Sequence, residues 1–204
     1  MDQARTVDVT ESSWGGGVSP FAVGWNKLMM WLFIITDALL FAGFLGSYGF
    51  ARLASAHWPD RAQVFHLSFI ALMTFILISS SATMATAVGA ARQGHRATAV
   101  RFLLLTILGG VGFLGCQAYE WTKLISEGAS LSANPWGVPH FGAYFFLITG
   151  FHGSHVLTGV LILAITALRS ARGRSRAEGV ELAGLYWHFV DLVWVFIFTL
   201  FYLI

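Results

Sequence analysis

The sequence is poor in charge. Only 11% of its 204 residues are Asp, Glu, Lys or Arg, less than half the roughly 25% of an ordinary soluble domain, and this excludes a solvated globular fold. Cysteine occurs once, at Cys116. A single thiol excludes a disulfide framework, a Cys-x-x-Cys-His haem attachment and a paired-thiolate copper or zinc site, and Cys116 reads as small packing. Neither sign of charge dominates, since the formal net charge is +2. The arginines lie in short loops between apolar runs, a pattern that speaks of membrane topology and gives no hint of a nucleic acid partner.

What is abundant is apolar. Hydrophobic residues make up 56% of the chain and the mean hydropathy is +0.70, values that imply an integral membrane protein. A helix needs about twenty largely apolar residues to cross the hydrocarbon core, and five such stretches occur, near 26–52, 64–91, 97–125, 139–169 and 180–204. The breaks carry turn and charge signals: His57-Trp-Pro-Asp-Arg61, Arg92-Gln-Gly-His-Arg96, Ser126 to Pro139, and Arg169 to Glu181. The sequence therefore predicts an all-α, polytopic fold, with a polar segment over 1–25 and a single five-helix transmembrane domain over 26–204. The first apolar run outlasts the h-region of a secretory signal, so no cleavable signal peptide is expected. Nine Lys and Arg residues fall on one side of the predicted membrane and three on the other, which puts the N-terminus in the cytoplasm and, after five spans, the C-terminus in the periplasm. No inverted repeat of the transporter kind is visible.

Six ionisable side chains interrupt the apolar spans: Asp37, Glu120, His152, His155, His188 and Asp191. Each charged carboxylate near mid-bilayer would cost about 2.5–3.5 kcal/mol on insertion scales, so these groups should face protein, water or headgroups. His152 and His155 are three apart, as are His188 and Asp191, and Gln117 and Glu120 repeat the spacing, so each pair is expected to share a helix face. At 1.5 Å per residue, Asp37, His155, His188 and Asp191 come out in one inner-to-middle layer, with Glu120 nearer the outer surface. Three uses are open: a metal or haem site, a proton relay, or hydrogen bonds that hold helices in register. Di-iron bundles use Glu-x-x-His pairs, whereas this chain offers His-x-x-His and His-x-x-Asp. A transmembrane relay needs stations at successive depths, and the outer half of the chain supplies few. Cross-helix hydrogen bonding is therefore the expectation. The glycines at 109, 112 and 115, and at 150, 153 and 159, read as close helix approach. The run Ser79-Ser-Ser-Ala-Thr83 reads as hydroxyls bonded one turn back within its own helix.

Two segments resemble a known family. Thr149-Gly-Phe-His-Gly-Ser-His-Val156 is similar to the TGFHGxHV signature, and Tyr186-Trp-His-Phe-Val-Asp-Leu-Val-Trp194 to the YWHFVDVVW signature, of subunit III of the haem-copper respiratory oxidases. Leu32-Phe-Ile-Ile-Thr-Asp-Ala-Leu-Leu-Phe41 and Gly115-Cys-Gln-Ala-Tyr-Glu-Trp121 match two further blocks in the family's order. Asp37 stands where most members carry Glu, and the chain is similar to the short, five-span bacterial form. The resemblance implies a non-redox accessory subunit of a terminal oxidase in the bacterial inner membrane. Such a subunit flanks catalytic subunit I, holds phospholipid in a cleft and supports proton uptake, with haem and copper in the partner subunits and none in this chain. It implies an internal polar network of Asp37, Glu120, His152, His155, His188 and Asp191, and places Asp37, Trp31 and Phe41 on the side of the lipid cleft and subunit I. The electron donor, cytochrome c or quinol, and membership of a respiratory supercomplex stay open. The runner-up readings are a similar partner of a nitric oxide reductase and a self-contained membrane metalloprotein.

Overall fold

Long apolar runs without internal proline satisfy their backbone only as helices inside a bilayer, and helices are what form. The computed structural model describes residues 24–204; most of the polar N-terminal segment, with Arg5, lies outside the described residues. Six α-helices follow one another: α1 (Trp25–Ala54), α2 (Arg61–Val64), α3 (Leu67–Arg92), α4 (Arg96–Ser126), α5 (Pro139–Ala171) and α6 (Ala177–Phe198), and the chain then tightens into a π-helical turn, Thr199–Leu203. All but α2 are long and apolar enough to cross a membrane.

The helix boundaries differ from the sequence reading at three places. The second span starts at Leu67, because Arg61–Val64 forms a separate turn of helix. The break expected from Arg169 to Glu181 is much shorter, with α6 starting at Ala177. Glu178 lies in its first turn, where a carboxylate complements the helix dipole. Glu181 is paired on both oxygens, with Lys27 of α1 and, at 3.0 Å, with Arg92 of α3. A paired acid no longer marks a loop. The third difference is the π turn, which no residue pattern announces.

Helices α3, α4, α5 and α6 form a ring in which each packs on its two neighbours, and α1 lies outside the ring against α5 and α6. The hairpin between α3 and α4 closes through Gly94 at φ +77°, with His95 N–H donating to Ala90 C=O at 2.9 Å, a Schellman-type stop that only a left-handed residue allows cheaply. At the same arginine-rich end, Arg96 donates to the last carbonyls of α5, Ser170 at 2.5 Å and Ala171. Its guanidinium satisfies acceptors that a helix terminus leaves open. At the opposite end Arg52 donates to Leu200 C=O at 3.4 Å and to Ile204 C=O, tying α1 to the π turn.

The centre of the ring is Trp187, fully buried. A Cβ on Gly110 would lie 2.5 Å from its ring and one on Gly159 2.9 Å away, so α4 and α5 present bare backbone to the indole. The expected glycine row is only partly responsible for close approach. A Cβ at Gly109 would come within 2.7 Å of Ser80, whereas Gly115 has nothing within 4 Å.

Candidate functional site

The buried polar side chains sort into separate groups, each at a helix crossing. Asp37 on α1 meets His155 on α5, with Oδ2 and Nε2 3.3 Å apart and both side chains largely buried. His155 Nδ1 lies 2.8 Å from the Phe151 carbonyl, and a carbonyl can only accept, so Nδ1 carries a proton. This close approach brings α1 against the ring as a polar contact, although Asp37 Oδ2 makes no well-aligned hydrogen bond among the described residues. Tyr186 of α6 donates to the His155 carbonyl at 3.1 Å and stacks on Phe33 of α1, so three helices meet here.

The second group lies between α3 and α6. Ser81 Oγ is 2.6 Å from His188 Nδ1. Asp191, one turn further along α6 and only 6% exposed, lies close enough to Ser81 to interact with it. Its two oxygens have no well-aligned hydrogen-bond partner among the described residues. Beside it, Trp187 Nε1 donates to Ser80 Oγ at 3.0 Å, and Thr83 and Thr106 hydroxyls join α3 to α4 at 2.8 Å.

The third group is at the far ends of α4 and the π turn, where Tyr202 donates to Glu120 Oε2 at 3.0 Å. The π turn has a use here, since it brings a fully buried phenol from the end of the chain back to α4. Gln117, one turn away on α4, is buried with both amide atoms unpartnered among the described residues. His152 is fully buried and receives no hydrogen bond from the described residues; it packs edge-on to Phe113 at 5.7 Å and beside Trp194 at 5.2 Å.

The six residues singled out in the sequence thus serve different contacts. His152 points into the ring and His155 toward α1, so the His-x-x-His pair does not converge on one point. Among the described residues no group of three or more His, Cys, Asp or Glu is arranged to hold a metal ion. Of the residues associated with a lipid-facing side, Trp31 is exposed at 47% while Phe41 is buried at 2%. Phe41 packs on Phe151, His155 and Phe189 and forms part of the floor of an apolar groove of about 310 Å³ between α1 and α6. The expected bonds one turn back form at Ser80, to Leu77 C=O at 2.6 Å, and at Thr83, to Ser80 C=O at 2.8 Å; sequence reasoning did not foresee the cross-helix contacts of Ser80 and Ser81, nor those of Tyr186, Glu181 and Tyr202. For the serines a signal existed. Consecutive residues turn by about 100° on a helix, so three adjacent hydroxyls spread over more than half its circumference and some of them must face a neighbouring helix, where a hydroxyl bonded one turn back can still accept a second bond, as Ser80 does from Trp187.

These features define a polytopic helical membrane protein whose buried polar groups connect helices, with no metal-ligand cluster among the described residues. Comparison with known proteins gives the family. The family model for cytochrome c oxidase subunit III matches residues 5–204, and the chain belongs to that family. It is 35% identical over 183 residues to quinol oxidase subunit 3 of Bacillus spizizenii, covering 87% of this chain and 86% of the relative. Cytochrome c oxidase subunit 3 of Alkalihalophilus pseudofirmus is 34% identical over 187 residues, 88% of this chain and 87% of the relative. Cytochrome bo(3) ubiquinol oxidase subunit 3 of Pseudomonas aeruginosa is 34% identical over 176 residues, 85% of this chain and 82% of the relative. The chain is accordingly a multi-pass bacterial inner-membrane protein, an accessory subunit III of a haem-copper oxidase, and works in a complex with other oxidase subunits. Relatives named for quinol and for cytochrome c stand at nearly equal identity, so likeness alone does not separate the two donors.

Proposed function

We propose that this chain acts without redox chemistry of its own, as a scaffold beside catalytic subunit I, with haem and copper confined to the partner subunits. In this reading residues 26–204 work as one transmembrane domain preceded by the polar segment 1–25, the N-terminus is cytoplasmic and the C-terminus periplasmic. Asp37, Glu120, His152, His155, His188 and Asp191 form the internal polar set that fixes helix register. Asp37, Trp31 and Phe41 lie on the side turned to bound phospholipid and subunit I, where the subunit supports proton uptake by its partner. A respiratory supercomplex is a compatible larger setting.

The observation that supports scaffolding is the way the polar contacts are spent. Asp37 with His155 joins α1 to α5, Ser81 with His188 joins α3 to α6, and Glu120 with Tyr202 joins α4 to the π turn. Interhelical hydrogen bonds of this kind contribute about 0.6 kcal/mol on average and up to ~1.7 each in a bilayer, which is enough to select one packing among several close in energy. The experiment is affinity purification through a tag on this chain, with haem spectra and identification of the co-purifying subunits. Haem-bearing subunits are expected with the tagged chain. A purified chain that is coloured and consumes oxygen by itself would overturn the proposal.

A further inference from the structure

The polar group between α3 and α6 is incomplete within this chain, and it is incomplete on the side that faces outward. His188 spends Nδ1 on Ser81. The residue is partly exposed, and Nε2 makes no hydrogen bond to the described residues while not being one of the atoms sealed inside the protein. Behind it, Asp191 is buried and leaves both carboxylate oxygens without a well-aligned donor among the described residues.

Depth gives this its weight. His188 is eleven residues from the first residue of α6, and Ser81 is eleven from the last residue of α3, so both lie roughly 16 Å in from the arginine-rich end at 1.5 Å per residue. That is near the middle of a hydrocarbon core about 30 Å thick. Acyl chains carry no donor or acceptor, and a polar group left facing them costs several kcal/mol. Lipid alone therefore does not complete this face. The surroundings suit a protein helix. On α3 the residue one turn from Ser81 is the small, exposed Ala85, and small residues admit close backbone approach. Ile78, one turn before Ser81 on α3, is exposed at 48% and adds an apolar neighbour, while Leu192, one turn after His188, is 55% exposed and also lines the groove between α6 and α1.

We propose that the face where α6 meets α3, centred on His188, receives a membrane-spanning helix of another oxidase subunit, which places a hydrogen-bonding hydroxyl or amide side chain on His188 Nε2. Asp191 and Ser81 form the polar backing that holds the imidazole in its outward orientation. This rests on the reading of the chain as an accessory subunit and adds which face is used and which contact anchors it.

The test uses the whole complex in native membranes. A photo-crosslinking residue placed at Ala85 or Ile78 on α3 is expected to capture an identified integral subunit of the oxidase, while the same probe at Leu104 on α4 or Leu161 on α5, which are exposed on other faces, captures chiefly lipid. The reverse pattern overturns the assignment of the face and leaves the scaffold reading intact. Capture of no oxidase subunit at any of the four positions, together with no haem in the tagged preparation, overturns both. As a second measurement, His188→Leu is expected to release the subunit from the detergent-solubilised complex roughly 3- to 20-fold faster, with most of the effect reversed in His188→Gln, which keeps a hydrogen-bonding group. Equal release rates for His188→Leu and the parent chain would sink the anchoring role of His188.

Discussion

Helices α1 and α6 lie side by side and run the same way, with Lys27 of α1 paired to Glu181 near the start of α6 and Tyr48 stacked on Phe201 near the other end. The two are of similar apolar character, yet only 11% of the most apolar stretch of α1 is buried, against 56% for α6. In water two helices of similar apolar character would be buried to a similar extent, because burial there follows hydrophobicity. In a bilayer the tails solvate leucine as well as a protein core does, and helices associate through packing of small residues and polar contacts. Helix α1 buries Ile34, Phe41 and Tyr48, seven residues apart, a single narrow seam. Helix α6 is enclosed on several sides because it carries Trp187, Asp191 and Trp194, groups that need neighbours, and because α4 and α5 offer glycine where it passes.

This contrast can be broken first at its strongest point. Trp187→Ala should be the most damaging change, since it empties the site between Gly110 and Gly159, and large-to-small core substitutions of this size cost about 3–5 kcal/mol. Loss of the subunit from the purified complex, or a lowered unfolding midpoint of the subunit in detergent, measures it. Gly159→Leu attacks the same site by overpacking and should cost about 1–3 kcal/mol by the same measurement. Should both changes prove silent, α6 is not the hub of the fold.

Smaller effects are expected on α1. Asp37→Leu removes the contact with His155 that fastens α1 to the ring, and a double-mutant cycle with His155→Phe should give a coupling of about 0.6–1.7 kcal/mol. Additive single effects would mean that the 3.3 Å approach is incidental. The weakest expected effect is at Leu39, 69% exposed on α1, where Leu39→Ala should change subunit stability by less than about 0.5 kcal/mol. A loss several times larger there would show that a protein, and not lipid, covers this part of α1 in the assembled oxidase.

The number of spans, the all-helical class and the family were legible before any coordinates, because apolar length and the segments around His152 and His188 are local properties of the chain. The identities of the buried polar residues were legible for the same reason. Their partners were not. Ser81 looked like a residue bonded within its own helix, because a hydroxyl shows nothing in sequence of the helix it will face, and the same holds for the phenol of Tyr202. The spacing rule that grouped His152 with His155 was right about the helix face only to within its width. A three-residue step turns about 300°, and the remaining 60° is enough to send one ring into the bundle and the other toward α1.

By itself the sequence determined that this chain has five stretches long and apolar enough to cross a membrane and which acids and imidazoles interrupt them, since hydrophobic length and residue inventory do not depend on packing. Only the tertiary structure decided that α6 is central and α1 peripheral, that a π turn returns Tyr202 to Glu120, and that His188 is left with one nitrogen facing outward. The physical reason is that helices in lipid are sorted by shape and by polar complementarity across several elements at once, and neither quantity is written along a single helix.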